Sequence, residues 1–141
     1  MNGAIPIHTE YFPPSDPALP AFALQIIKLV DSYMIWVGTT DVQAEEVDRA
    51  MGQGNLCKNW AYGLPTKMNC VSAGADAIGT SLFGSADSDT ALSMAQRLGR
   101  RIGKPVFVSV DIGERGGYVG GVEVRRELGR IEREIVKRVL G

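Results

Sequence analysis

The chain has 141 residues, of which 45% are apolar and 22% charged, and 15 Lys and Arg stand against 16 Asp and Glu. This length fits a single domain over residues 1–141, with enough apolar material for a core. No apolar run is long enough to cross a bilayer, and the first residues lack the pattern of a signal peptide. A net charge of −1 is far from the basic profile of nucleic-acid binders. We therefore expect a soluble, intracellular protein that binds neither membrane nor nucleic acid.

The residue types needed for metal or acid–base chemistry are scarce. Cys57 and Cys70 form no C-x-x-C motif, and His8 is the only histidine. A structural zinc ion needs four protein ligands, and a histidine-based triad would depend on His8 alone. These residue types exclude a structural zinc site built from this chain alone and the commonest hydrolytic sites, but they do not exclude every enzyme.

The N-terminal half of the chain is predicted to be mostly strands. Prolines crowd residues 9–22 and exclude a helix interior or a central strand, so residues 1–22 are expected to be loosely ordered, with at most a short edge strand over Ile5–Ile7. Two β-rich runs then flank Asp31 and Ser32, whose side chains favour a tight turn, so a hairpin is predicted. The elements predicted next are a short helical turn around Ala44–Met51 and strands over Asn59–Leu64 and Ala77–Phe83.

The C-terminal half is predicted to hold two helices around one strand. The first helix has Ser88 or Asp89 as its N-cap and ends at Gly103 before Pro105. Its apolar stripe is formed by Leu92, Ala95, Leu98 and Ile102. A strand over Val106–Ile112 follows, and a second helix begins near Val122, with an apolar stripe formed by Leu128, Ile131, Ile135 and Val139.

Consecutive strands with short connections are typical of an α+β domain. We predict a single domain with an antiparallel β-sheet of about five or six strands and two main α-helices packed on one face. Strand alternation puts Met34 and Trp36 on one face of the sheet and Tyr33, Ile35 and Val37 on the other. Both faces are apolar and the helices can cover only one, so the other face meets either loops or another protein.

Two local patterns have a chemical and a structural interpretation. The loop Gly113–Gly121 lies between a strand and a helix, as phosphate-binding loops do, but it lacks the G-K-[ST] and G-x-G-x-x-G patterns. A small-ligand or nucleotide site there is the alternative to a plain connection. Asp87 and Asp89 could suggest Mg²⁺, but their position at a helix start already explains them.

The charges are divided along the chain. Residues 1–90 hold ten acids and four bases, whereas residues 91–141 hold eleven bases and six acids. Four of the late bases lie at the end of the first helix: Arg97, Arg100, Arg101 and Lys104. Cations favour the negative end of a helix dipole, and a cluster of them also suits an acidic partner.

Two blocks of sequence resemble the proteasome assembly chaperone 4 family. Residues 29–38 read L-V-D-S-Y-M-I-W-V-G, in which a D-S hairpin precedes a W-V-G strand end. Within residues 81–109, an S-L-F-G turn leads to an acidic helix start, an A-Q-R-L helix core, a basic helix end and a V-F-V-S strand. The resemblance covers about two thirds of the chain.

The resemblance implies a chaperone that is not an enzyme, and we expect no catalytic residue, no metal and no cofactor. It also implies a protein of the cytoplasm and nucleus that forms a heterodimer with a second small chaperone, of the proteasome assembly chaperone 3 type. The pair would assist assembly of the α-type subunits into the ring of the 20S proteasome. A general α+β scaffold or adaptor is the other non-enzymatic interpretation. The candidate partner-binding residues are Trp36, Arg97, Arg100, Arg101, Lys104, Leu128, Ile131 and Ile135.

Overall fold

The computed structural model describes residues 5–14, 21–40, 43–49, 59–65, 78–83, 90–112 and 122–140. These ranges contain the strands β1 (Ile7–Phe12), β2 (Ala21–Leu29), β3 (Ser32–Thr40), β4 (Trp60–Leu64), β5 (Ile78–Phe83) and β6 (Val106–Asp111). They also contain the helices α1 (Thr90–Ile102) and α2 (Val122–Leu140) and a 3-10 segment (Ala44–Arg49). In this part of the chain, no helix is long and apolar enough to span a bilayer.

The six strands form one sheet in the order β1-β2-β3-β6-β4-β5. Neighbouring strands are antiparallel except for β3 and β6, which run parallel. The predicted α+β fold is confirmed, but the sheet is mixed rather than purely antiparallel. The reason is that α1 leads the chain from the edge strand β5 back over the sheet, so that β6 enters between β3 and β4.

The N-terminal segment contains a strand where the sequence predicted loose order. Residues of β1 pair with β2 from Ile7, opposite Ile27, to Phe12, opposite Phe22. Prolines precede and follow β1 but do not interrupt it, and β1 lies at an edge of the sheet, where proline is tolerated.

The predicted hairpin joins β2 to β3. Its turn consists of Val30 and Asp31, and Asp31 has a φ of 57°, in the left-handed region that Asp tolerates. The Ser32 hydroxyl donates a hydrogen bond to the Val30 carbonyl at 3.5 Å. This tight turn fixes the register of β2 and β3, and with it the face to which each side chain points.

Both helices pack on the face of the sheet that carries Tyr33, Ile35 and Val37. Alternation predicted that these residues share a face, but not that the helices cover it. The neighbouring strands β2 and β6 add the buried rows Phe22, Leu24 and Ile26, and Val106, Val108 and Val110. The core lies between these rows and the apolar stripes of α1 and α2. Met34 and Trp36 therefore lie on the opposite side of the sheet, which we call the sheet face.

Helix α1 approaches the sheet most closely at β4. A Cβ atom built on Gly63 would lie 2.0 Å from the carbonyl oxygen of Ala95, so only glycine fits there. A Cβ on Gly79 in β5 would similarly lie 2.5 Å from Cγ of Gln96. These two glycines set the distance between α1 and the edge of the sheet.

Candidate partner-binding surfaces

The sheet face carries an apolar row that crosses four strands. Ile27, Met34, Phe107 and Tyr62 are successive cross-strand partners in β2, β3, β6 and β4. The rings of Tyr62 and Phe107 are tilted against each other, with centroids 4.6 Å apart. None of the four is fully buried, and neither α-helix packs on this side. Such a row is an apolar surface of the type that protein partners cover.

Trp36 lies on the sheet face, but its side chain is buried, with only 2% of its area exposed. A Cβ atom on Gly38 would lie 2.4 Å from Cζ2 of Trp36, so the indole lies over the backbone of Gly38. The expectation that Trp36 itself is an exposed contact residue is therefore wrong. Because Gly38 has no side chain, the indole ring of Trp36 can lie against the backbone instead of pointing into solvent. Among the described residues, Nε1 of Trp36 and Nε1 of Trp60 are buried without a hydrogen-bond partner.

The apolar surface continues to the β5 edge of the sheet. Phe83 is 61% exposed and lies opposite Trp60 in the β4–β5 pairing. Leu64, Ile78 and Leu82 are also large, apolar and exposed. Half of the eight exposed large hydrophobic residues of the described chain thus lie on β4 and β5, next to the sheet face.

On the other side of the molecule, Arg97 joins α1 to α2 through Glu132. The Arg97 Nε–H donates to both carboxylate oxygens at 3.1 Å, and Nη2 donates to Oε1 at 2.9 Å. The Glu132 side chain is only 8% exposed, whereas that of Arg97 is 53% exposed. Arg97 thus has a structural partner within the chain, a role that the sequence did not indicate.

The other three bases of the predicted cluster are exposed. Arg100 and Arg101 line a shallow groove between the helices together with Arg97 and Glu132. Lys104 follows Gly103, whose φ of 76° is the left-handed turn that ends α1. The structure therefore brings Arg97, Arg100 and Arg101 together at one groove and leaves Lys104 exposed just beyond the helix end.

Leu128, Ile131 and Ile135 are buried in the core of the chain itself, with Ile131 and Ile135 fully inaccessible. They fill the space between α2 and the sheet and have no surface left for a partner. We therefore remove these three residues from the candidate partner-binding set. Their spacing alone could not distinguish packing within the chain from packing against a partner.

Sequence reasoning missed a second row of bases on α2. Arg126, Arg130, Arg133 and Lys137 are exposed, at steps of four, three and four residues. This spacing is itself a helical signal, because it places the four side chains on one side of the helix. The row could have been found beside the apolar stripe, which has the same period.

Several predicted features lie outside the described residues. These are the Gly113–Gly121 loop, the Asp87 and Asp89 pair, and both cysteines. Within the described ranges, no three His, Cys, Asp or Glu side chains are grouped so that they could hold a metal ion.

Comparisons with known proteins identify the family of this fold. The model of the family described as proteasome assembly chaperone 4 matches residues 21–112, from the start of β2 to just beyond β6. The structure is similar to a chain in the crystal structure of a novel chaperone complex for yeast 20S proteasome assembly, with a TM-score of 0.68. That similarity covers 97% of this chain and 98% of the yeast chain, and the two are 14% identical. No curated protein matches the sequence. Because the family match spans most of the sheet and all of α1, the chain belongs to the proteasome assembly chaperone 4 family.

Proposed function

We propose that the protein is a chaperone of 20S proteasome assembly that acts by binding proteins and catalyses no reaction. It forms a heterodimer with a second small chaperone, of the proteasome assembly chaperone 3 type, and the pair assists assembly of the α-type subunits into a ring. This takes place in the cytoplasm and the nucleus. The observation that carries the proposal is the family match over residues 21–112.

We assign the second chaperone to the sheet face. The row of Ile27, Met34, Phe107 and Tyr62 offers apolar and aromatic area, which contributes most of the binding energy in stable protein interfaces. A sheet packs well against a second sheet at a distance of roughly 10 Å, so a partner with an apolar sheet face of its own is complementary in shape. The exposed Phe83 extends the contact to the β5 edge.

The heterodimer is tested by placing a charge in the centre of this row. We expect Phe107→Asp to abolish the complex with the second chaperone, as measured by light scattering after gel filtration, because an unpaired carboxylate would be buried on binding. Val30→Asp is the matched control, since Val30 is 92% exposed in the hairpin turn, away from the row. Tyr62→Asp gives a second test at the same row if Phe107→Asp lowers the melting temperature. Two folded variants that bind like the unaltered chain would contradict this assignment.

We also propose that Arg97, Arg100, Arg101 and Lys104 contribute to docking an α-type subunit or the second chaperone. The support is their proximity at the end of α1 and the exposure of all four. Exposed charges act mainly on the rate and selectivity of association, which suits a chaperone that must leave after assembly. Charge reversal at Arg100 and Arg101 should weaken ring-assembly binding most strongly at low salt. Unchanged binding by the folded variant at low salt would contradict this role.

A further inference from the structure

The outward side of α2 is lined with bases. Arg126, Arg130, Arg133 and Lys137 are all exposed, and their spacing places them opposite the buried side of the helix that carries Leu128, Ile131 and Ile135. Within the described chain, Arg126 and Arg133 make no ion pair with an acid. Their charges are therefore available to a partner.

The acids of α2 are oriented differently from its bases. Glu127 and Glu132 are both buried, and each is bound by an arginine: Glu127 by Arg130 at 2.9 Å and Glu132 by Arg97. Glu134 is half-buried and lies 3.5 Å from Lys137. Because these three carboxylates are turned inward or paired, the exposed side of the described part of α2 is more basic than its composition suggests.

The row on α2 is connected to the bases of α1. The Arg97–Glu132 ion pair holds the two helices together, and Arg100 and Arg101 line the groove at that point. The helices thus present one positively charged area, which we call the basic helix surface and define by Arg100, Arg101, Arg126, Arg133 and Lys137. It lies on the helix side of the sheet, whereas the sheet face lies on the opposite side.

We propose that the basic helix surface binds an acidic surface of a folded protein, and that this protein is the α-type subunit. The proposal rests on the proposed function, in which the heterodimer binds α-type subunits, and it assigns that binding to a surface. Charge complementarity is the argument: the exposed side of the helix layer is basic, although the whole chain carries a net charge of −1. Since this surface and the sheet face lie on opposite sides of the sheet, the second chaperone and the α-type subunit can be bound at the same time.

The test uses the reconstituted heterodimer and purified α-type subunits. We expect the double substitution Arg126→Glu and Arg133→Glu to raise the dissociation constant about tenfold or more at about 50 mM salt, and much less at about 300 mM salt. Lys28→Glu is the control for a charge reversal outside the basic helix surface: it makes half the net charge change of the double variant, at an exposed residue of β2, and should change the constant by less than about twofold. The neutral pair Arg126→Gln and Arg133→Gln should give an intermediate loss. It also serves as the test if the double reversal lowers the melting temperature.

Three results would overturn the inference, and each can be distinguished from failure of the proposed function. Unchanged binding of α-type subunits by an intact variant heterodimer would exclude this surface while leaving the proposed function in place. An equal loss in the Lys28→Glu control would show a general charge effect. A labelled single-stranded DNA that binds the unaltered heterodimer more tightly than the α-type subunits do would show that the surface serves nucleic acid. Failure of the unaltered chain to form a heterodimer would instead contradict the proposed function.

Discussion

The ion pair between Arg97 and Glu132 predicts an unequal effect of removing its two members. Arg97→Ala leaves a carboxylate that is 8% exposed without its three hydrogen bonds, whereas Glu132→Ala leaves a guanidinium that is 53% exposed and can be solvated. Breaking a fully buried pair costs about 3–5 kcal/mol. Because water reaches the arginine side, we expect about 2–3 kcal/mol for Arg97→Ala and about 1 kcal/mol for Glu132→Ala.

The measurement is urea-induced unfolding of the single variants and of the double variant, monitored by circular dichroism and intrinsic fluorescence. A chain of this size loses about 3 °C of melting temperature per kcal/mol, so thermal unfolding should rank the variants in the same order. Replacing both residues by methionine should cost less than Arg97→Ala alone, since no buried charge remains. The reasoning is refuted if Glu132→Ala destabilises the protein as much as Arg97→Ala does.

Two further predictions concern glycines with opposite surroundings. Gly63→Ala should lower the free energy of unfolding in urea by about 2–3 kcal/mol or more, because the new Cβ would overlap the backbone of Ala95 and force α1 away from β4. A decrease below about 0.5 kcal/mol would mean that α1 does not pack this closely. Gly129→Ala should stabilise the protein by up to about 1 kcal/mol, because the new Cβ meets only Nη1 of Arg133 at 4.0 Å and alanine favours the helix; a decrease in stability would contradict this helix environment.

The secondary structure was largely predictable because its signals are local. The β2–β3 hairpin at Val30 and Asp31, the end of α1 at Gly103 and the start of α2 near Val122 all depend on residues close by in the chain. The parallel pairing of β3 with β6 was not predictable in this way, since no local pattern states which distant strand a buried run will join. The strand β1 was predicted as at most a short edge strand over Ile5–Ile7, because the nearby prolines outweighed the β-forming residues that follow.

The candidate surfaces were only partly predictable. Alternation correctly separated Met34 and Trp36 from the core-facing residues of β3, but it could not show that the Trp36 ring folds over Gly38. The helical period identified the apolar stripe of α2 but not the surface that covers it. Apolar residues recur at the same three- and four-residue steps whether a helix packs on its own core or on a partner. The buried state of Glu132 depends on a side chain 35 residues away, and no sequence window of ordinary length contains both.

The position of β6 has a consequence for the order in which the chain can fold. β4 and β5 reach the other strands only through β6, which is made after all of them. During synthesis, the sheet can therefore exist only as two separate parts, β1–β3 and β4–β5, until residue 111 has left the ribosome. Until then, the edges of β3 and β4 that pair with β6 remain without a partner strand. The insertion of one apolar strand then closes both edges at once. The sheet is thus completed late and cooperatively, and a chain truncated before Val106 would retain two unpaired edges prone to aggregation.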